Sequence, residues 1–508
     1  MSNFETEALM PLAITIERLT AGAQGADSVT HSSELSPGVL VPSGSRLRPF
    51  IEILISGETP DILDLSEEYF GLQKFDEQNK PRVQPDKELI VLVVEHLRRS
   101  LEAVEFGAAV LNGSPHLYDG THWTPITDQE CAHLLGILAE HMRCGSITSR
   151  HFLFREKLLK QYVSNLWIEI ASGSDDDVLV NFLNGTLDIA DGAVDLREFR
   201  KDDFLTYQLP FDFSPSAECQ NFTRYLKRVL PDETSQLVLA EFIGWIFLPG
   251  LKLEKILLLY GEGHNGKSVF FDIMIALLGA ANISNLGLSA LSKLENRFQL
   301  ASKLLNFGSE INDRCDPDLL KKMASGEPVE ARRLYKDVFI MRRYARLAFN
   351  ANVLPRNTEQ TMGFFRRFLI IPFTQTITEA EKDPDLASKI ISSELPGIFN
   401  WVMEGLKRLR SNRKFTECVA ALEALAAYRL ESDSVAMFLD DSALVKSVDG
   451  RLGKNDLYLE YRGYCQLSGF SPLSKVNFGK RLTRHHQVSE SKSGGLRFWH
   501  LIRTDDDA

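Results

Sequence analysis

The sequence is poor in cysteine: six in 508 residues, Cys131, Cys144, Cys219, Cys315, Cys418 and Cys465, with no two at C-x-x-C spacing. That excludes a zinc ribbon and a disulfide framework and leaves scattered reduced thiols. Long apolar runs are also missing. The longest, such as Leu89–Val94 and Ile256–Tyr260, fall far short of the ~20 residues of a membrane span. The first twenty residues lack a basic region and carry Glu5, Glu7 and Glu17, which excludes a signal peptide. A soluble, cytoplasmic chain with no membrane partner is expected. Nor is positive charge in excess. Lys+Arg number 57 against 69 Asp+Glu, a net −12, which excludes a protein that coats nucleic acid by bulk charge but not a local basic site. No internal repeat is present. Apolar and charged content are those of ordinary globular chains, so a sizeable core is available and wholesale disorder is excluded.

Residues 20–46, rich in Gly, Ser, Ala and Pro, read as a loop or linker. Residues 85–111 read as a helical piece. LYDGTHWTPI, from Leu117, reads as a hairpin turning at Asp119-Gly120. Residues 126–165 look helical, Val178–Ile189 like strands about an Asn184-Gly185 turn, and 216–247 like helices ending before Pro249-Gly250. Residues 255–373 alternate short apolar runs with helical segments, the pattern of an α/β nucleotide-binding domain. Helical pattern returns to about residue 430, and a compact α-then-β piece closes the chain.

The strongest signal lies at KILLLYGEGHNGKSVFFDIMIALLG. The apolar run Ile256–Tyr260 predicts a buried strand. Gly261-Glu262-Gly263-His264-Asn265-Gly266-Lys267-Ser268 fits G-x-x-x-x-G-K-[ST], and Val269, Phe270, Ile273, Met274, Leu277 and Leu278 continue as an apolar helix. Strand, glycine loop and helix in this order set backbone N–H groups around phosphates at a helix N-terminus. Lys267 brings a positive charge to the β/γ-phosphates, and the Ser268 hydroxyl is the expected Mg²⁺ ligand.

Hydrolysis further needs an acid near the magnesium and a group that orients water. Leu304–Ser309 is a second short strand leading to Glu310, the candidate Walker-B carboxylate. Between residues 321 and 346 stand eight Lys/Arg and three acids, net +5. With Tyr335-Lys336-Asp337 between two strand-like stretches, this is either a basic hairpin gripping nucleic-acid phosphates, Tyr335 stacking, or a solvated charged surface. Arg346–Phe349 reads as a third core strand leading into Asn350-Ala351-Asn352; Asn352 either senses the γ-phosphate or forms a turn ahead of Pro355. Arg366-Arg367 precede another apolar strand. Neither is expected to point into its own subunit's core, and one is a candidate arginine finger for a neighbour's γ-phosphate.

Near the C-terminus, Asn455–Leu467 and Leu473–Thr483 read as helices, followed by strands about Gly494-Gly495. Residues 451–503 hold ten Lys/Arg and three acids, net +7. Lys475, Lys480, Arg481 and Arg484 on the second helix are candidate DNA contacts, although such a module also occurs as packing alone.

These motifs, in this order, resemble superfamily 3 helicases, in particular the phage/plasmid primase–helicase branch that includes the poxvirus uncoating-type replicative ATPases. The loop is similar to G-x-G-x-N-G-K-S. Leu320, Lys321, Gly326, Glu327, Ala331 and Arg332 match L-K-x-x-x-G-[DE]-x-x-x-A-R; Asn352 and Pro355 match N-x-x-P; Arg366, Arg367, Pro372 and Phe373 match the finger motif. LYDGTHW, FLNGTLDI, LPFDFSP and FIGWIFLP resemble the family's collar-like region, and FGKRLTRHH its C-terminal winged helix. The likeness covers about residues 115–503. Ser309 stands where an acid is frequent, and Glu327 where Asp is. Residues 1–115 look too short for the primase domain of many relatives and lack a D-x-D pair; Asp175-Asp176-Asp177 lies elsewhere, in a Gly/Ser loop. No priming activity is expected.

The resemblance implies a multidomain α/β chain: 1–115 of unassigned role, 116–250 α/β then collar-like, 251–395 an AAA+-like P-loop ATPase core, 396–432 a helical connector and 433–508 a winged helix. It implies an ATP- and Mg²⁺-dependent replicative DNA helicase of a phage, plasmid or other mobile element. Such a helicase works as a homo-hexameric ring on single-stranded and forked DNA in the host cytoplasm, alongside a separate primase or other replication proteins. In the ring, Lys267, Ser268 and Glu310 come from one subunit and Arg367 from the next, and Arg332, Arg333, Tyr335 and Lys336 ride on the DNA-gripping hairpin. Rival readings are an origin-binding initiator that melts DNA with little processive unwinding, a ring ATPase acting on a non-nucleic-acid partner, and a nucleotide-gated scaffold that binds ATP without turnover.

Overall fold

The structure, a computed structural model, describes residues 45–504 except 57–58, 83, 169–177, 191–192, 309–315, 334–336, 353 and 355–360. The chain divides into two compact units. The first is Met1–Gly173 with Gly185–Asp188 and Val194–Gln208; the second is Ser174–Asn184 and Ile189–Ala193 with Leu209–Ala508.

In the first unit, helices α1 (Arg48–Ile55), α2 (Ile62–Phe70) and α3 (Asp86–Glu102) precede an antiparallel meander of β1 (Gly107–Leu111), β2 (Ser114–Tyr118) and β3 (Trp123–Pro125). Then come α4 (Asp128–His141), α5 (Ser146–Arg150) and α6 (Phe152–Asn165). The apolar stripe of α3, Ile90, Val93, Val94, Leu97 and Leu101, is buried in one core with Leu134 and Leu138 of α4 and Leu158 and Tyr162 of α6. The helix expected over 85–111 stops at Glu102. Glu105 takes a left-handed φ of +63°, which breaks the helical run, and Gly107–Leu111 continues as a strand paired to β2. A division after residue 115 therefore falls inside β2, whose Leu117 shares the core of α3. Strands β4 (Val178–Phe182), β5 (Gly185–Ala190) and β6 (Ala193–Arg197) follow, where the chain passes between the units.

In the second unit, α7 (Gln220–Val229) and α8 (Glu233–Trp245) lead into a parallel sheet. Its elements are β7 (Ile256–Tyr260), α9 (Lys267–Leu278), β8 (Ile283–Ser284), α10 (Leu294–Arg297), β9 (Leu305–Gly308), α11 (Pro317–Ala324), the hairpin β10 (Val329–Arg332) and β11 (Val338–Met341), β12 (Arg346–Ala351), α12 (Met362–Phe365) and β13 (Phe368–Pro372). The spatial order is β13-β7-β12-β9-β8, all neighbours parallel. The carboxyl ends of β7, β12, β9 and β13 therefore share one edge, where open α/β sheets bind ligands. Burial on both faces explains why these strands read as continuous apolar runs.

Helix α13 (Leu386–Asn412) packs across α8 at two glycines. A Cβ on Gly405 would lie 2.3 Å from the Ala240 backbone, and one on Gly244 2.8 Å from that of Leu406. Helix α14 (Val419–Glu431) packs on β13, burying Tyr428 against Phe365 and Phe368. The chain closes with α15 (Ser434–Asp441), β14 (Leu444–Lys446), β15 (Leu452–Gly453), α16 (Lys454–Ser468), α17 (Lys475–Arg484), the hairpin β16 (Glu490–Ser493) and β17 (Leu496–Trp499), and β18 (Leu501–Arg503). Phe438, Leu457, Tyr461, Phe478, Leu482 and Trp499 form their common core. Among the described residues no helix is long and apolar enough to cross a membrane.

Candidate functional site

The glycine loop leaves β7 at the carboxyl edge of the sheet. Its first residue is pinned from both sides: Gly261 N donates to Ala351 O at the end of β12 (3.1 Å), and Phe373 N, just past β13, donates to Tyr260 O (2.7 Å). Asn265 is buried and donates through Nδ2 to Phe373 O at 3.1 Å and to Glu262 O. Ile377 N donates to His264 O at 2.8 Å. Helix α7 braces the loop from behind, where the Tyr225 hydroxyl donates to Gly266 O at 2.8 Å. Gly266 itself has φ +85°, and a Cβ there would lie 2.6 Å from Val229 Cγ1. Both the backbone angle and the close approach of α7 require glycine.

Gly266 is also the N-cap of α9, and no side chain caps that helix. Lys267 N makes a long bond to Asn265 Oδ1 (3.4 Å); the other N–H groups at a helix start have no partner within the helix, and the dipole there favours an anion. Lys267 is buried and folds back, its ammonium donating to Gly261 O, to Glu262 O (3.1 Å) and to Asn265 Oδ1 (3.2 Å). Burial lowers its pKa from the usual lysine value. Its acceptors there are all neutral oxygens, which satisfy an ammonium less fully than phosphate oxygens do. Ser268, Glu262, Gly263 and His264 are exposed.

Glu310, Tyr335, Lys336, Ser309 and Pro355 lie outside the described residues. Asn352 is exposed just past β12. Its neighbour Asn350, within β12 and paired to Leu259 of β7, holds a buried Oδ1 without a hydrogen-bond partner among the described residues. Such an orphan next to the loop strand marks Asn350 as a second candidate for γ-phosphate or water contact. The sequence motif favoured Asn352, and only the strand's extension to Ala351 singles out Asn350.

The two arginines divide. Arg366 is 61% exposed and pairs with Glu254 at 3.0 Å. Arg367 is 13% exposed, turned inward to Ser325 Oγ (3.1 Å), Gly363 O and Glu254 (3.4 Å). The expectation that neither would face the subunit's own interior is corrected for Arg367, whose guanidinium ties α12 to the end of α11. Both precede β13, at the sheet edge opposite the loop.

The basic hairpin takes the form of antiparallel β10 and β11, Arg332 opposite Val338. Arg332 pairs with Glu295 of α10, and the Arg333 guanidinium lies 4.7 Å from the centre of the Phe298 ring. In the C-terminal module Lys475, Lys480 and Arg484 are exposed, with Lys475 near Asn455. Arg481 is not a surface cation. It and Asp433 are each 9% exposed and joined through two hydrogen bonds of 3.0 and 2.7 Å, with His486 Nε2 3.2 Å from the same carboxylate oxygen. Burial alone would raise the Asp433 pKa; hydrogen bonds from His486 and Arg481, with their charges, outweigh it and hold the carboxyl well below the usual range. The position gave the signal, since Arg481 shares the buried stripe of Phe478 and Leu482. Sequence reasoning passed over exposed Lys492 and Arg497, directly opposite each other on β16 and β17. Like charges so paired repel, an arrangement that a polyanion relieves.

Three family models match the chain: "D5 N terminal like" over residues 113–231, a family of unknown function (DUF5906) over 259–367, and "Poxvirus D5 protein-like" over 430–504. Two of these models are D5-like, and the viral relatives the chain is similar to carry the name putative helicase. The chain is 22% identical over 364 residues to "Putative helicase L207/L206" of Acanthamoeba polyphaga mimivirus, covering 65% of this chain and 37% of the relative. It is 20% identical over 379 residues to "Putative helicase 121R" of Invertebrate iridescent virus 3, covering 66% and 40%. The chain thus spans about two fifths of the length of these relatives. It is similar to solved structures of the apo NrS-1 C-terminal region, at 12% identity, covering 80% of this chain and 98% of that one, with TM-scores of 0.43 and 0.44.

Proposed function

We propose that the chain is a replicative DNA helicase of the superfamily 3 type, driven by ATP hydrolysis and working as a ring. The observation that carries this reading is the uncapped N-terminus of α9 behind a pinned glycine loop, with Lys267 buried against the loop's own carbonyls. A nucleoside triphosphate fits that donor set: N–H groups, a helix dipole and a lysine. Ser268 and Glu310 are the oxygen donors for a magnesium ion, whose chemistry when bound is to neutralise the phosphates.

Arg366 and Arg367 stand a strand's length, about 16 Å, from their own loop. An arginine finger therefore acts between subunits, and Arg366, the exposed member, is its residue. Asn350 and Asn352 flank the γ-phosphate position. The hairpin carrying Arg332, Arg333, Tyr335 and Lys336 grips DNA in a homo-hexameric ring. The C-terminal module is a winged helix whose Lys480, Arg484, Lys492 and Arg497 meet duplex phosphates, and Lys475 adds to that face.

The test is ATP hydrolysis with and without single-stranded DNA. The native chain hydrolyses ATP faster with DNA present, and Lys267→Ala loses hydrolysis by at least about a hundredfold, as for a lost transition-state charge. Equal turnover by both proteins overturns the reading.

A further inference from the structure

Helix α7 brings a hydroxyl to a carbonyl that is already bonded. Its buried residues are Phe222, Tyr225, Leu226 and Val229, the i, i+3, i+4, i+7 spacing of an amphipathic helix. Tyr225 is buried on that face and donates to Gly266 O at 2.8 Å. The same oxygen accepts the first intrahelical bond of α9, from Phe270 N at 3.2 Å. The carbonyl is therefore satisfied without the tyrosine, and the hydroxyl takes its second lone pair. Burial pushes the Tyr225 pKa up, so the phenol keeps its proton and acts as a donor.

The consequence falls on the other side of the same peptide. A trans peptide is planar, with C=O and N–H pointing opposite ways. Two donors on Gly266 O fix the plane of the 266–267 peptide, and with it the direction of the Lys267 N–H. That N–H is the first of α9, and its bond to Asn265 Oδ1 is long, 3.4 Å. Tyr225 is in turn held by both ends of its helix. Glu394 of α13 accepts from Asn221 N (3.0 Å) and Phe222 N (2.8 Å), one on each oxygen, at the start of α7. Arg228, near its end, donates to Thr376 O (3.0 Å) and pairs with Glu381 (2.9 Å).

We propose that Tyr225 is a positioning residue for phosphate binding. It touches no nucleotide and acts through Gly266, holding the Lys267 N–H toward the phosphates. The inference rests on the glycine loop being a triphosphate site. That N–H meets a phosphate before and during cleavage alike, so the hydroxyl strengthens binding and leaves the chemical step unchanged.

The experiment compares the full native chain with Tyr225→Phe and Phe222→Leu. Tyr225→Phe removes the hydroxyl and leaves Gly266 O its helical bond, so the fold is retained. Phe222→Leu trims a fully buried ring on the same helix and keeps the hydroxyl. KM and kcat for ATP, affinity for tripolyphosphate and hydrogen-exchange protection of α7 are measured. Tyr225→Phe is expected to raise KM and to weaken tripolyphosphate, each about fivefold, the worth of one neutral hydrogen bond. Its kcat stays within about twofold of native, the pattern of lost uniform binding. Phe222→Leu is expected to lose more protection in α7 while its KM stays within about twofold of native. Unchanged tripolyphosphate affinity in Tyr225→Phe, a fall in its kcat at native KM, or the same KM rise in Phe222→Leu overturns the positioning role while leaving the phosphate loop intact. Failure of the native chain to bind tripolyphosphate or to hydrolyse ATP overturns the loop reading, and this inference with it.

Discussion

Replacing Arg481 separates two roles that its position on a basic helix confuses. The side chain is enclosed and makes two hydrogen bonds to Asp433, which is itself buried. Arg481→Ala leaves that carboxylate in the core of the C-terminal module with His486 as its remaining side-chain partner and the N–H groups of Val435 and Ala436 on its other oxygen. Breaking one side of a buried ion pair costs about 3–5 kcal/mol, which raises local opening by about 150- to 4,000-fold. The chain has several units, so a single melting temperature does not isolate the effect. Hydrogen exchange across residues 433–503 does. Protection in α15–α17 is expected to fall by that factor, while the sheet around β7 keeps its own. A second variant, Asp433→Asn with Arg481→Met, removes both charges and is expected to recover most of the protection. If Arg481→Ala loses DNA binding with exchange unchanged, the side chain is a DNA contact and the structural assignment is wrong.

Arg484→Ala and Lys492→Ala are expected to leave exchange unaltered, to weaken duplex binding, and each to flatten its salt dependence by about one unit of slope; filter binding at several salt concentrations reads this directly. Gly266→Ala forces a Cβ onto Val229 at φ +85°, costing about 2–4 kcal/mol in backbone strain and overpacking together, and calorimetric titration is expected to show nucleotide affinity falling at least about tenfold. Arg367→Ala is expected to lower thermal stability. Arg366→Ala leaves stability within about 0.5 kcal/mol and abolishes turnover, which a paired melting and ATPase assay distinguishes. In the first unit, the Arg46 hydrogen bonds, ahead of those from Thr127, hold the Glu130 carboxyl down at about 2. Its folded pKa lies below its unfolded value, about 4.3, so its contribution is complete above that pH and disappears as pH falls toward 2. Urea unfolding of native and Arg46→Ala chains is expected to converge across that window.

Features set by neighbours in sequence were legible. The run Ile256–Tyr260, the glycines and the apolar stripe of α9 sit within 25 residues, and period, turn chemistry and spacing suffice to place them. The helix over 454–468 and the hairpin at Gly494-Gly495 were legible for the same reason. Elsewhere the decisive contacts join distant residues. Tyr225 reaches Gly266, and Glu394 of α13 caps α7 through the N–H groups of Asn221 and Phe222; neither pairing leaves a local pattern. Adjacent arginines look alike in sequence, and both reach Glu254, yet Arg366 stays exposed while Arg367 is enclosed by its further bonds to Ser325 and Gly363. Strand β1 was hidden because Gly107–Leu111, buried almost throughout, has neither helical nor alternating period.

Strand displacement tests the central claim most directly. A forked duplex with one labelled strand is incubated with the full chain and ATP, beside Lys267→Ala at the same concentration. The account predicts release of the strand by the native chain only, and only while ATP is hydrolysed. Equal release by both proteins, or release without nucleotide, would contradict it.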